Sequence, residues 1–219
     1  MRSGKGVEPK SVNDFERLLV ADPDQSFLWI KYMAFMLESL DVASARRVCE
    51  RAVTSVSLVA EDDKLNLWIA YLNLENKFGT EDTLNAVIAR ALEVNDRLKV
   101  YLQLASLYRA SGQTQHVEAI FKRLCKKYHT SLDIWAQYIE FLFEVQGQEG
   151  FTAPKIILQR SLQALPKALH INVISKFGLL EFKHGHPESG RTMFEGIISN
   201  YPKRMDIWAI YMDMEAKHG

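Results

Sequence analysis

Four tryptophans set the frame of this chain. Trp29, Trp68, Trp135 and Trp208 are each followed three residues later by a tyrosine (Tyr32, Tyr71, Tyr138, Tyr211) and six residues later by a large apolar residue (Phe35, Leu74, Phe141, Met214). That spacing puts all three side chains on one face of a helix. Two degenerate copies fill the gaps, Tyr101, Leu104, Leu107 and Ile174, Phe177, Leu180, so the six starts lie 39, 33, 34, 39 and 34 residues apart. A period in this range signals a repeat architecture before any single element is considered.

A second element recurs downstream, a short apolar run around an arginine: Val48-Cys49-Glu50-Arg51-Ala52, Ile88-Ala89-Arg90-Ala91-Leu92, Phe121-Lys122-Arg123-Leu124 and Leu158-Gln159-Arg160-Ser161-Leu162, with Phe194-Glu195-Gly196-Ile197-Ile198 as the degenerate copy. Its offset from the repeat start is 22 in four copies and 25 in the copy that begins at Trp135, whose connecting segment carries the longer run Gln146-Gly147-Gln148-Glu149-Gly150-Phe151. Between the two elements, Gly79, Gly112, Gly185 and Gly219 each stand eleven residues after a start, where a left-handed glycine would end a helix. Asp41 and Thr80 are candidate caps for the second helices, and Pro187 suits a first turn. Each repeat is predicted to be helix, turn, helix.

The expected fold is therefore all-α, a right-handed superhelical solenoid forming a single array over 1–219. Helix pairs are expected at 24–56, 63–95, 96–128, 130–166 and 168–202. The segment 12–22 reads as a second helix without its first and 204–219 as a first helix without its second, so the chain reads as a piece cut from a longer protein.

The repeat residues themselves are expected to be packing residues: Trp29, Tyr32, Trp68, Tyr71, Trp135, Tyr138, Trp208 and Tyr211 bury large areas against paired helices. In an antiparallel hairpin Arg51 should lie level with Tyr32 and Arg90 with Tyr71, stacking on the ring or donating to its oxygen. Chemistry-bearing constellations are weak. Cys125 with His129, and His184 with His186, have ligand residue types but no second pair at zinc-site spacing. Phosphate-loop, dinucleotide, nucleophile-elbow and zinc-protease motifs do not occur. No catalytic residue, cofactor, metal or small-molecule substrate is expected.

Charge narrows the partners. Lys plus Arg and Asp plus Glu both number 27, so no overall positive field draws the chain to nucleic acid or to a membrane surface. A local ridge of Lys122, Arg123, Lys126 and Lys127, with Arg97 and Lys99 in the preceding segment, reads either as a solvated helix face or as a surface able to touch an RNA backbone. Two cysteines, Cys49 and Cys125, suit a reducing compartment, cytosol or nucleus, and no apolar run reaches the length of a membrane span.

The pattern W-x-x-Y-x-x-apolar, a glutamate seven residues after the start (Glu75, Glu181, Glu215) and E-R-A in the second helix resemble half-a-tetratricopeptide (HAT) repeats. HAT repeats are known chiefly from RNA-processing assemblies. Four stretches narrow the match: Ser11 to Leu19, Leu28 to Phe35, Lys64 to Asn76 and Tyr201 to Trp208 resemble the C-terminal HAT region of the ribosomal RNA processing protein five family, called programmed cell death protein eleven in animals. That resemblance implies a nucleolar, non-catalytic scaffold of the small-subunit processome. It implies docking to pre-ribosomal proteins, with pre-rRNA bound mainly by other domains of the full-length protein. The competing expectation is a helical-repeat module that reads RNA directly, one base per repeat. Against it, the positions five residues after each start are Ala34, Asn73, Ser106, Glu140, Leu179 and Asp213, irregular and partly acidic.

Overall fold

In a computed structural model of the chain, residues 9–57, 59–146 and 152–218 are described. Among them are twelve α-helices and no strand. The helices are α1 Val12–Ala21, α2 Ser26–Glu38, α3 Val42–Ser55, α4 Glu61–Phe78, α5 Glu81–Val94, α6 Arg97–Ala110, α7 Thr114–Lys127, α8 Leu132–Gln146, α9 Thr152–Ala164, α10 His170–His184, α11 Pro187–Asn200 and α12 Met205–His218. A 3₁₀ turn, Lys167–Leu169, precedes α10. The chain divides into two compact units, Met1–Ser111 and Gly112–Gly219.

Each unit is two layers of antiparallel helices. In the first, α2, α4 and α6 form one row, and α1, α3 and α5 pack against it. In the second, α8, α10 and α12 form the row, with α7, α9 and α11 behind. An amphipathic helix must bury its apolar stripe against another helix, and the short connections leave an antiparallel neighbour as the nearest partner. Local signals start several helices. The Ser11, Asp41 and Asp96 side chains each accept from a backbone N–H three residues on, Thr80 and Thr83 make a reciprocal capping box, and Pro187 occupies the first turn of α11.

The repeat register becomes visible in the rings. Phe15 stacks on Tyr32 (centroids 4.8 Å apart, planes 7° from parallel), Phe121 on Tyr138 (5.4 Å, 9°) and Phe194 on Tyr211 (5.5 Å, 3°). In each case a phenylalanine two residues before the arginine position of one repeat meets the tyrosine of the next. Cys49 holds that place ahead of Tyr71, and Tyr71 stacks instead on Trp68 at 6.3 Å.

The turns correct the expectation placed on glycine. Of the turn glycines, Gly112 is left-handed, with φ at 72°; Gly79 and Gly185 have φ of −94° and −108°. A Cβ at Gly79 would stand 2.2 Å from Glu75 Oε2 and 2.7 Å from the Glu75 carbonyl oxygen, and one at Gly185 would stand 2.3 Å from Glu181 Oε2. These two glycines make room for a buried glutamate four residues earlier. Gly112, whose missing Cβ would meet nothing, serves the backbone conformation instead. Leu40, at the same turn position of the first repeat, is left-handed with φ at 58° although it has a branched side chain. Gly219 and the inserted loop residues 147–151 lie outside the described residues.

Candidate functional site

Every repeat tryptophan except Trp208 is buried: Trp29 is 2% exposed, Trp68 4% and Trp135 6%, against 37% for Trp208. The indole N–H finds a carbonyl six residues back, in the loop that leads into the helix: Trp29 to Pro23 (2.9 Å), Trp135 to His129 (2.8 Å) and Trp208 to Pro202 (3.1 Å). Trp68 Nε1 has no such partner among the described residues. The reason is the length of α4, which begins seven residues before Trp68 where α2, α8 and α12 begin three before theirs. The carbonyl six residues back, on Asp62, is thereby inside the helix and committed to its ladder.

The arginines lie beside the tyrosines as expected, sharing a carboxylate with them, but the rings beneath them are those of the tryptophans. Arg51 lies over the ring of Trp29 (5.5 Å) and Arg90 over that of Trp68 (5.2 Å), not over Tyr32 and Tyr71. Their guanidinium forks reach back to the preceding second helix: Arg51 donates to both oxygens of Glu16 at 2.8 and 2.9 Å, and Arg90 to both oxygens of Glu50 at 2.7 and 2.8 Å. The tyrosine hydroxyl donates to the same carboxylate, Tyr32 to Glu16 at 3.0 Å and Tyr71 to Glu50 at 2.7 Å. Tyr211 repeats the tyrosine half with Glu195 at 3.2 Å. A glutamate thus sits one residue before the arginine position and clasps the next repeat, while the arginine clasps the previous one. The bidentate geometry fixes one orientation of the two helices, as planar forks do. The Arg51 guanidinium holds the Glu16 carboxyl below its ordinary value, and Arg90 does the same to Glu50.

A second clasp joins the second helix of one repeat to the first helix of the next. Glu75, 2% exposed, accepts from Arg46 at 2.7 and 3.1 Å and from Thr83 Oγ1 at 2.8 Å; Glu215 accepts from Arg191 at 2.9 and 3.1 Å. Both arginines stand 17 residues after their repeat start, each followed in the next repeat by a glutamate at position seven. Glu181 is fully buried but receives only the backbone N–H of His186, at 3.2 Å, and its Oε1 has no partner among the described residues. The position that carries arginine in the other two copies is Lys155 here, once the three-residue insertion is counted, and it is exposed.

The glutamates Glu16, Glu50 and Glu195 and the arginines Arg46 and Arg191 were not singled out by sequence reasoning. Their signal was present, as a fixed Glu-Arg step in Glu16-Arg17 and Glu50-Arg51 and an arginine at offset 17 wherever a glutamate follows at offset seven, save one copy.

The proposed RNA ridge lies at the C-terminal end of α7. Lys122, Arg123, Lys126 and Lys127 are all exposed. Lys122 pairs with Glu118 at 2.8 Å and Lys127 lies 5.3 Å over the Tyr128 ring. Lys99 belongs to the other unit, where it faces Asp62 at 3.5 Å. Cys49 and Cys125 are buried, and burial pushes both thiols up to about 12. Among the described residues no cluster of His, Cys, Asp and Glu is placed to hold a metal ion, and no helix is long and apolar enough to cross a membrane.

Helix pairs stacked through aromatic seams and glutamate–arginine clasps define a helical-repeat protein of the HAT class. The profile of the pre-mRNA-splicing factor Syf1/CNRKL1 N-terminal HAT repeat matches residues 5–97 and 57–178, and the chain belongs to the HAT-repeat family. Within it, the chain is 41% identical over 214 residues to Protein RRP5 homolog of Homo sapiens, covering 98% of the chain and 11% of that relative. It is 42% identical over 209 residues to rRNA biogenesis protein rrp5 of Schizosaccharomyces pombe (95% and 12%), and 38% over 213 to rRNA biogenesis protein RRP5 of Arabidopsis thaliana (96% and 11%). The chain therefore spans about a tenth of the length of these relatives.

Proposed function

We propose that this array is a non-catalytic protein-docking scaffold in ribosome biogenesis, acting within the small-subunit processome on the way to small-subunit rRNA, in the nucleolus. The observation that carries the reading is the identity of 38–42% with RRP5 proteins over nearly the whole chain. The geometry supports the scaffold half of it. Tyr32, Arg51 and Glu16, Tyr71, Arg90 and Glu50, Arg46 and Glu75, and Arg191 and Glu215 are engaged with one another in the seams, and among the described residues the positions five after each start carry no repeating polar pair of the kind a base reader needs. Pre-rRNA is then held mainly by other parts of the full-length protein. The basic ridge is kept as a minor backbone contact.

A segment swap tests the assignment to ribosome biogenesis. The matching segment of the S. pombe relative is replaced by this chain and precursor rRNA is followed by northern blot. Processing toward small-subunit rRNA is expected to continue in the chimera and to fail when the segment is deleted. A stably expressed chimera that accumulates unprocessed precursor as the deletion does would count against the assignment.

A further inference from the structure

Between α8 and α10, consecutive members of the front row of the second unit, runs an open groove of about 460 Å³. Its two rims carry opposite charge. Asp133 and Glu140 stand seven residues apart on α8, Lys176 and Lys183 seven residues apart on α10, and the floor between them is Ala136, Leu179 and Leu180, with Gln137. The first rung is closed by Lys176 and Asp133 at 3.2 Å, with side chains 46% and 77% exposed. Such a pair is worth little and exchanges readily. The second rung, Glu140 and Lys183, makes no ion pair among the described residues.

The geometry points to a docking groove for an amphipathic α-helix of a partner protein, one flanked by Lys or Arg on the α8 side and by Asp or Glu on the α10 side. The inference rests on the protein-docking reading above and names the class of partner. The spacing is what selects a helix. Seven residues of helix advance about 10.5 Å, so a helix laid along the groove offers side chains at the same interval as both rungs. An extended peptide covers that distance in about three residues, and side chains three apart in a strand point to opposite faces, so it meets one rung and misses the other. The half-buried Leu179 and Leu180 supply the apolar seat that an i, i+3, i+4, i+7 stripe requires. Two acidic and two basic groups on the rims leave no net attraction for a phosphate backbone, which removes RNA as the favoured occupant.

The probe is a stapled helical peptide of about 15 residues with a Leu stripe, Lys at heptad spacing on one flank and Glu on the other. Its partners in the test are a sequence-scrambled peptide of the same composition and a helix with Lys on both flanks. Fluorescence anisotropy with the whole chain is expected to show binding of the mixed-flank helix, weaker binding of the scrambled peptide, and a loss of roughly tenfold for the mixed-flank helix in Lys176→Glu/Lys183→Glu. That variant should in turn prefer the all-Lys helix, because both rims are then acidic. Both lysines are exposed, and circular dichroism confirms that the variant retains its helices. Equal binding of the scrambled peptide, no binding of the mixed-flank helix, or no exchange of preference in the variant overturns the groove. None of these outcomes touches the wider scaffold reading, which is decided by RNase-resistant recovery of pre-ribosomal proteins.

Discussion

Trp68 and Trp208 occupy the same repeat position and differ in what surrounds them. Trp68 is 4% exposed between packed helices with Arg90 over its ring, whereas Trp208 is 37% exposed. Trp68→Ala should cost ~3–5 kcal/mol through lost burial and the cavity left behind, and Trp208→Ala clearly less; equal losses in urea melts would contradict the packing described. The shared glutamates carry a pH signature. Glu16 and Glu50 titrate below 4.5 in the folded chain because Arg51 and Arg90 donate to their carboxylates. A depressed folded value means that the clasps add stability above 4.5 and lose it as pH falls through the folded value. The urea midpoint is expected to drop as pH goes from about 7 to about 3, and to drop less in Glu50→Gln. An identical pH dependence in that variant would remove Glu50 from the account. These tryptophans and tyrosines were legible in the sequence because their spacing is local. The acceptor of each arginine was not, since it lies 35 or 40 residues away on another helix, and periodicity within one helix says nothing about which neighbour a long side chain selects.

At the scale of the helix pair, one turn position is solved in three ways. Gly112 adopts a left-handed conformation in open space, Leu40 adopts it with a side chain, and Gly79 lies against Glu75 with ordinary φ. Leu40→Gly should therefore stabilise the chain by about 1 kcal/mol, and Gly112→Ala should cost about as much. Gly79→Ala acts by collision, so its cost should shrink in a Glu75→Ala background while that of Gly112→Ala does not. Thermal melts of the two double variants separate the mechanisms. If Gly79→Ala costs the same with and without the Glu75 side chain, the collision is with the Glu75 carbonyl and Thr83 Oγ1 and not with the carboxylate. Helix existence followed from the three-residue spacing and the caps at Asp41, Thr80 and Pro187. Helix length was harder, as α4 shows: the acidic run Glu61, Asp62, Asp63 favours a helix N-terminus, and the extra turn it supports removes the carbonyl that would have met Trp68.

At the scale of the molecule, charge bears on the choice between the two kinds of partner. With 27 cationic and 27 anionic residues, long-range attraction to phosphate is absent. Lys122, Arg123, Lys126 and Lys127 can neutralise only a few phosphates, so RNA binding should be weak and steeply salt-dependent. Reversing all four charges should abolish it without loss of helical content; tight, sequence-selective binding at physiological salt would favour the reader. The family was legible in the sequence because the repeat recurs nearly end to end. The groove between α8 and α10 was not, because its rims are built from two repeats whose lateral fit only packing establishes. The claim that this array docks proteins is tested most directly by affinity capture of the tagged chain from nuclear extract, with and without RNase. The account predicts that pre-ribosomal proteins are recovered equally in both, and their disappearance on RNase treatment would contradict it.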